Sequence, residues 1–107
     1  IYELRIYTAN PGKMAALVSR FRDHTCEMFE KHGITNVGYW QNSVGGRSDE
    51  LWYIIAFEDH GQREQAWASM AADPDWQEIV AESEKDGRLT HHNENRIMNP
   101  LDFSPLK

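Results

Sequence analysis

Glu50-Leu51-Trp52-Tyr53-Ile54-Ile55-Ala56-Phe57-Glu58 is the stretch that decides the fold. Its aromatic and β-branched residues between charged ends read as a β-strand. Side chains of a strand alternate between its two faces. Leu51, Tyr53, Ile55 and Phe57 therefore share one side, and Trp52, Ile54 and Ala56 share the other. Both rows are apolar, which is the pattern of a strand buried on both faces. The loop Gly45-Gly46-Arg47-Ser48-Asp49 precedes it, after a strand read over 34–44, and Asp59-His60-Gly61 breaks it.

The chain opens with another alternation over residues 1–8. Ile1, Glu3, Arg5 and Tyr7 point one way while Tyr2, Leu4 and Ile6 point the other, as strand geometry requires. Asn10-Pro11-Gly12 follows, with Asn10 suited to cap a helix and Pro11 to its first position. From Lys13 to His32 the apolar spacing becomes helical, with Met14, Leu17, Val18, Phe21, Thr25, Met28, Phe29 and His32 in one stripe. Gly33 is a natural stop.

A second helical region carries Ala66, Trp67, Met70 and Ala71, and Asp73-Pro74 restarts the helix with a capping carboxylate and a first-turn proline. Trp76, Ile79, Val80 and Ser83 continue the inward stripe as far as Asp86-Gly87. Residues 91–98 read as a fourth strand, and a proline-containing tail over 99–107 is suited to lie across a neighbour. The order strand, helix, strand, strand, helix, strand predicts an α+β, ferredoxin-like βαββαβ fold. It is expected to form one domain over residues 1–107, with a four-stranded antiparallel sheet covered by helices on one face. The uncovered face would then carry Trp52 and Ile54, a liability for a monomer. A homodimer whose sheets meet face to face in an α+β barrel is the expected resolution; the alternative cover is the chain's own tail.

With 40% hydrophobic and 26% charged residues, the composition is that of a globular chain rather than a disordered one. No apolar stretch approaches the roughly 20 residues of a membrane span. A net charge of −6 disfavours nucleic acid and anionic membrane surfaces as partners. The lone Cys26 excludes an internal disulfide and a multi-cysteine zinc site, and fits a reducing, cytoplasmic setting. It lies off the helical stripe without a base beside it, so no nucleophilic role is expected. The first residues lack the basic segment and apolar run of a secretory signal, and the absence of an initial Met leaves room for residues before Ile1.

Candidate chemistry concentrates on the first strand. Glu3, Arg5 and Tyr7 place an acid, a cation and a phenol in one row. If that row lines a pocket, Arg5 can hold a carboxylate or enolate oxygen and Tyr7 can donate a hydrogen bond. The structural alternative is cross-strand pairing, for instance with Glu94 or Arg96. His24, at the stripe's edge, is a candidate general base, so the candidate catalytic residues are Arg5, Tyr7 and His24. His32 reads as a helix-end histidine bonded to a backbone carbonyl. Trp40, Trp52 and Tyr53 join Glu3, Arg5 and Tyr7 as candidate ligand-binding residues, because aromatic walls with a few polar groups form small-molecule pockets. Core packing is the plainer role for those aromatics.

No metal is expected. His24 and Glu27 supply only two ligands, and His91-His92, adjacent on a strand, point to opposite faces. No cofactor motif is present either: Gly45-Gly46-Arg47 is too short for a phosphate cradle.

Tyr2-Glu3-Leu4-Arg5-Ile6-Tyr7, Pro11-Gly12-Lys13, Glu30-Lys31-His32-Gly33 and Gly38-Tyr39-Trp40 resemble the NIPSNAP family domain. So do Asp73-Pro74-Asp75-Trp76 and Met98-Asn99-Pro100-Leu101-Asp102-Phe103-Ser104-Pro105, in order along essentially the whole chain. The resemblance implies a dimeric α+β barrel and supplies no catalytic residue set. Domains of similar fold include cofactor-free monooxygenases, lactone isomerases and haem-dependent enzymes, an analogy that fixes no function. The expected function is a homodimeric domain that binds a small apolar or aromatic molecule, or a partner. The alternatives are a cofactor-independent monooxygenase or isomerase acting on a small aromatic or keto substrate, and a purely structural dimerisation module.

Overall fold

A computed structural model describes residues 1–107. The first strand is β1, Tyr2–Ala9, and the two-faced segment is β3, Glu50–Ala56, its central partner. A helical run follows β1 as α1 (Met14–Arg20), a π-turn (Phe21–Thr25) and α2 (Cys26–Lys31), leading to β2 (Thr35–Gln41). After β3 come α3 (His60–Ala71), α4 (Pro74–Ser83) and β4 (Thr90–Met98). The strands form one sheet in the order β2-β3-β1-β4, antiparallel throughout. This is the expected α+β, ferredoxin-like arrangement.

Register fixes the faces. Arg5 pairs with Tyr53, and Leu4 and Ile6 pair with Ile54 and Trp52. Paired residues share a face, so Glu3, Arg5, Tyr7, Leu51, Tyr53 and Ile55 lie under the helices. Tyr2, Leu4, Ile6, Trp52 and Ile54 look the other way. The core forms where Leu17, Phe21, Met28 and Phe29 of the first helical run and Ala66 and Met70 of α3 meet Leu51, Tyr53, Ile55 and Phe57. Each large side chain buried there stabilises the fold by roughly 1.5–3 kcal/mol.

The sequence reading needs several corrections. The first helix starts at Met14, not Pro11. Asn10-Pro11-Gly12 is instead a turn, closed by the Lys13 N–H donating to the Asn10 carbonyl at 2.9 Å, with Gly12 at φ 76° where a side chain would strain. Asn10 Nδ2 donates to the carbonyls of Arg88 and Thr90 at 2.8 and 3.4 Å, fastening this turn beside β4. The helical run is also not uniform: the Cys26 N–H reaches back to the Phe21 carbonyl, which defines the π-turn. A stripe with intervals of three and four does not reveal such an insertion.

β2 ends at Gln41 rather than at 44, because Asn42 Nδ2 donates to the Arg47 carbonyl and to Glu50 Oε1 at 2.8 and 2.9 Å and turns the chain. Asp73 caps α4 as expected, accepting from the Asp75 N–H at 2.9 Å with Pro74 in the first turn. The tail after Met98 joins no strand, and Leu101, Phe103 and Leu106 are exposed. No helix is long and apolar enough to cross a membrane.

Candidate functional site

The row predicted on β1 lies beneath the helices. Glu3 has no solvent exposure, and its carboxylate is surrounded by donors. Arg63 of α3 donates from Nε at 2.8 Å and from Nη2 at 3.1 Å, Arg5 from Nη1 at 2.7 Å, and Asn95 of β4 at 3.0 Å. Trp67 Nε1 completes the shell at 3.4 Å. Burial alone would raise the Glu3 pKa, but the hydrogen bonds from Arg63, Asn95 and Arg5, with the Arg5 charge, outweigh it and bring it down to about 2. Glu3 is therefore a fixed anion. Two guanidinium charges against one carboxylate leave a local balance of +1.

Arg5 transmits that order to Tyr7. Its Nε donates to the Tyr7 hydroxyl oxygen at 3.2 Å, and its guanidinium lies 4.9 Å from the Trp67 ring and 5.4 Å from the Tyr7 ring. Burial works to discharge Arg5, but the nearby Tyr7 and Tyr53 phenols and the hydrogen bonds to Tyr7 and Glu3 raise its pKa and keep it cationic. The Tyr53 hydroxyl donates to the Tyr7 oxygen at 2.9 Å. Burial first, then the neighbouring Tyr7, raises the Tyr53 pKa well above the ordinary phenol range, so it remains a neutral donor. The Tyr7 hydroxyl oxygen thus accepts two hydrogen bonds, one from Arg5 and one from Tyr53.

Tyr7 forms one wall of a cavity of about 110 Å³ between sheet and helices. Phe21 and Thr25 of the π-turn, Phe29, Trp67, Met70 and Trp76 line it, with Arg20 at its edge. The Thr25 hydroxyl donates to the Arg20 carbonyl at 3.3 Å. Arg20 also borders a wider open groove of about 540 Å³ between the first helical run and α4. Acidic and hydroxyl side chains form most of that groove, with only Ala16 and Ile79 apolar. An aromatic enclosure with few polar groups can hold a small uncharged body.

The predicted residues divide between three places. Glu3, Arg5, Tyr7 and Tyr53 come together as one network. Trp40 and Trp52 do not join them: they pair with each other on the opposite face of the sheet, because residues one apart on β3 point to opposite sides. The Trp40 ring covers Gly38 there, where a Cβ would lie 2.5 Å from it, yet Trp40 remains 53% exposed. His24 is exposed on the groove wall, away from Tyr7. Glu94 and Arg96 pair with Ile6 and Leu4 on the outer face, so neither is the cross-strand partner of the Glu3 row.

His32 is bonded to side chains rather than to a backbone carbonyl. Nδ1 meets Ser69 Oγ and Nε2 meets Asp73 Oδ2, each at 2.7 Å, and Lys31 Nζ reaches the same Asp73 oxygen at 2.8 Å. This clamp joins the end of α2 to the α3–α4 junction. No three His, Cys, Asp or Glu side chains gather as a metal ion would need.

Sequence reading missed Arg63, Asn95, Arg20, Phe21 and Thr25 as parts of the site. Arg63 had a signal. It shares a helical face with Trp67 and Met70, and a charge in an apolar stripe calls for a buried partner.

Residues 2–105 match the NIPSNAP family. The chain belongs to the NIPSNAP family. A 77-residue segment, 72% of this NIPSNAP chain, is 30% identical to human NipSnap homolog 3A (Homo sapiens). The chain spans about 30% of that protein's length. A solved NIPSNAP family protein with unknown function from Agrobacterium tumefaciens is 32% identical, with a TM-score of 0.85 over 99% of this chain and 92% of that one. SnoaB, a cofactor-independent oxygenase from Streptomyces nogalater, shares the fold at a TM-score of 0.60 and 15% identity, over 96% of both chains.

Proposed function

We propose that this NIPSNAP chain is a homodimeric binding protein for a small apolar or aromatic molecule. The observation that carries this reading is the aromatic cavity of about 110 Å³ with Tyr7 in its wall, a residue held by hydrogen bonds from Arg5 and Tyr53 to its hydroxyl oxygen. Binding sites hold a few polar groups rigidly inside an apolar enclosure, and the Glu3–Arg5–Tyr7 row supplies that rigidity.

The dimer reading is supported by the open face, where Tyr2, Leu4, Ile54 and Trp52 are only part-buried and Trp40 is exposed. A second sheet laid against them removes this apolar surface from water. The net charge of −6 argues against nucleic acid or an anionic membrane as partner. The lone Cys26 supports a reducing, cytoplasmic setting.

Native mass spectrometry of freshly purified protein tests both halves. A dimer carrying a reproducible extra mass is expected. A clean monomer overturns the dimer, and a bare protein that no small aromatic compound stabilises against heat overturns the binding role.

One observation favours a second reading, a cofactor-independent oxygenase or isomerase acting on a small aromatic or keto substrate. Tyr7 lines the cavity beside cationic Arg5, and a phenol donor of this kind would stabilise an enolate oxygen; losing one such donor costs about 10²–10³ in kcat. A Tyr7→Phe protein that turns over such a substrate at the wild-type rate overturns this second reading.

A further inference from the structure

Five large apolar side chains stand exposed on the protomer: Trp40, Val44, Leu101, Phe103 and Leu106. They fall into two groups. Trp40 belongs to β2 and Val44 to the loop after it, while the other three belong to the tail that follows β4. β2 and β4 are the two edges of the sheet. The tail has a shape of its own: the Ser104 N–H donates to the Leu101 carbonyl at 2.9 Å, and Ser104 Oγ donates to the Leu106 carbonyl at 2.7 Å. That turn includes Phe103, yet leaves it 79% exposed.

The protomer also carries more surface than its mass requires. A compact chain of 12.4 kDa has about 6,100 Å² of accessible surface, whereas this one has 6812 Å². Its radius of gyration is 14.4 Å, against about 13 Å for a compact chain of this length. The surplus of about 700 Å² is close to the roughly 800 Å² that each partner buries in an interface of standard size.

A second copy of this chain supplies the cover. Within one protomer β3 and β1 separate the tail from Trp40, and both stay exposed. When two copies stack by their open faces on a two-fold axis along the strands, the strand order of one sheet runs opposite to that of the other. β4 of each copy then lies over β2 of its partner, and the symmetry makes the same contact twice. Residues 99–101, at about 3.3 Å each, cross the roughly 10 Å between stacked sheets and set the turn beside that edge. Leu4, Ile6, Trp52 and Ile54 form the apolar centre of such an interface, and the exposed Glu94 and Arg96 of β4 form its polar rim.

We propose that the C-terminal tail of each protomer packs on the open sheet face of a second copy, with Phe103 against the partner's Trp40. This rests on the dimer reading and adds the segment that fastens the dimer and the sheet edge it reaches.

Sedimentation of the intact protein over a dilution series, together with isotope-filtered spectra of dimers mixed from ¹³C-labelled and unlabelled chains, tests it. Phe103→Glu should raise the dimer dissociation constant at least about 100-fold, since each dimer buries two such rings. Phe103→Leu, which keeps the apolar bulk, should stay within about tenfold of the wild type. The mixed dimers should show contacts between the Phe103 ring of one chain and the Trp40 indole of the other.

A dimer that Phe103→Glu leaves equally tight, or a Phe103 ring that touches only its own chain or another part of the partner, overturns the inference while leaving the dimer. A wild-type chain that stays monomeric at every concentration removes the dimer reading and this inference with it. The contacts in the mixed dimer decide even where the dissociation constants lie too low to measure.

Discussion

The two faces of β1 reverse the usual sorting of side chains, while its neighbour β3 keeps apolar Leu51, Tyr53 and Ile55 in the core under the helices. Beneath the helices, β1 contributes Glu3, Arg5 and Tyr7, an acid, a cation and a phenol, and Glu3 is sealed from water completely. On the outer face the same strand contributes Tyr2, Leu4 and Ile6 beside Trp52 and Ile54, mostly part-buried, with Trp40 53% exposed at the edge. The Glu3 row is satisfied internally, its carboxylate surrounded by donors from Arg5, Arg63, Trp67 and Asn95. The apolar face is not. Chemistry is therefore sought under the helices and association across the open side.

The largest expected effect on folding comes from breaking the polar face. Glu3→Ala leaves Arg5 and Arg63 without their buried anion and should lower stability by about 3–5 kcal/mol, read from urea unfolding. A loss below about 1 kcal/mol would mean that the network is ornamental, since that is the range of exposed ion pairs.

Acid should act in the same direction. The Glu3 carboxyl is lowered from 4.5 to about 2 in the folded chain, and Asp73, bonded by Lys31, the Asp75 N–H and His32, from 3.8 to about 2. Both pKa values are depressed by folding, so their stabilisation is present above the unfolded values and is lost as pH falls from about 4.5 towards 2. Thermal melts across that interval should show a falling Tm, and Glu3→Gln should flatten the slope. A flat profile in the wild type contradicts the depressed carboxylates.

Tyr7→Phe should cost less, on the order of 1 kcal/mol for the lost hydroxyl, because the ring still packs against Phe21 and Tyr53 at 5.7 and 5.3 Å. A cost near that of Glu3→Ala would make the phenol part of the fold's support rather than a group held ready for a ligand. The smallest effect on a protomer's fold should follow Ile54→Glu on the open face. Light scattering should then report one 12.4 kDa chain in place of the two of the proposed dimer, with the circular dichroism unchanged. A variant that remains dimeric places the dimer contact elsewhere.

What could be read from the sequence tracks how local the determining forces are. The alternation of β1 and β3 sorted their side chains correctly, since strand geometry fixes it. Asp73-Pro74 announced the α4 cap because a cap is satisfied within a turn. Arg63 reaching Glu3 across 60 positions could not be seen in this way, because nothing local encodes which helix face lies over which strand position. Aromatic character alone groups Trp40 and Trp52 with Tyr53, while the period of the strand separates Trp52 from it. The partners of His32 lie on α3 and at the α4 cap, so a reading confined to its own helix end offered only a carbonyl.

The π-turn at Phe21–Thr25 holds one residue more than a regular helix needs. The wider turn absorbs that residue, so Leu17 upstream and Phe29 downstream both pack into the core. Closing the same residues as a regular helix would swing one flank by about 100° relative to the other, and the two could not then both face the sheet. Removing one residue would instead restore a regular helix with both flanks in place, so a one-residue gap between relatives is better sought at Phe21–Thr25 than elsewhere in this helical run.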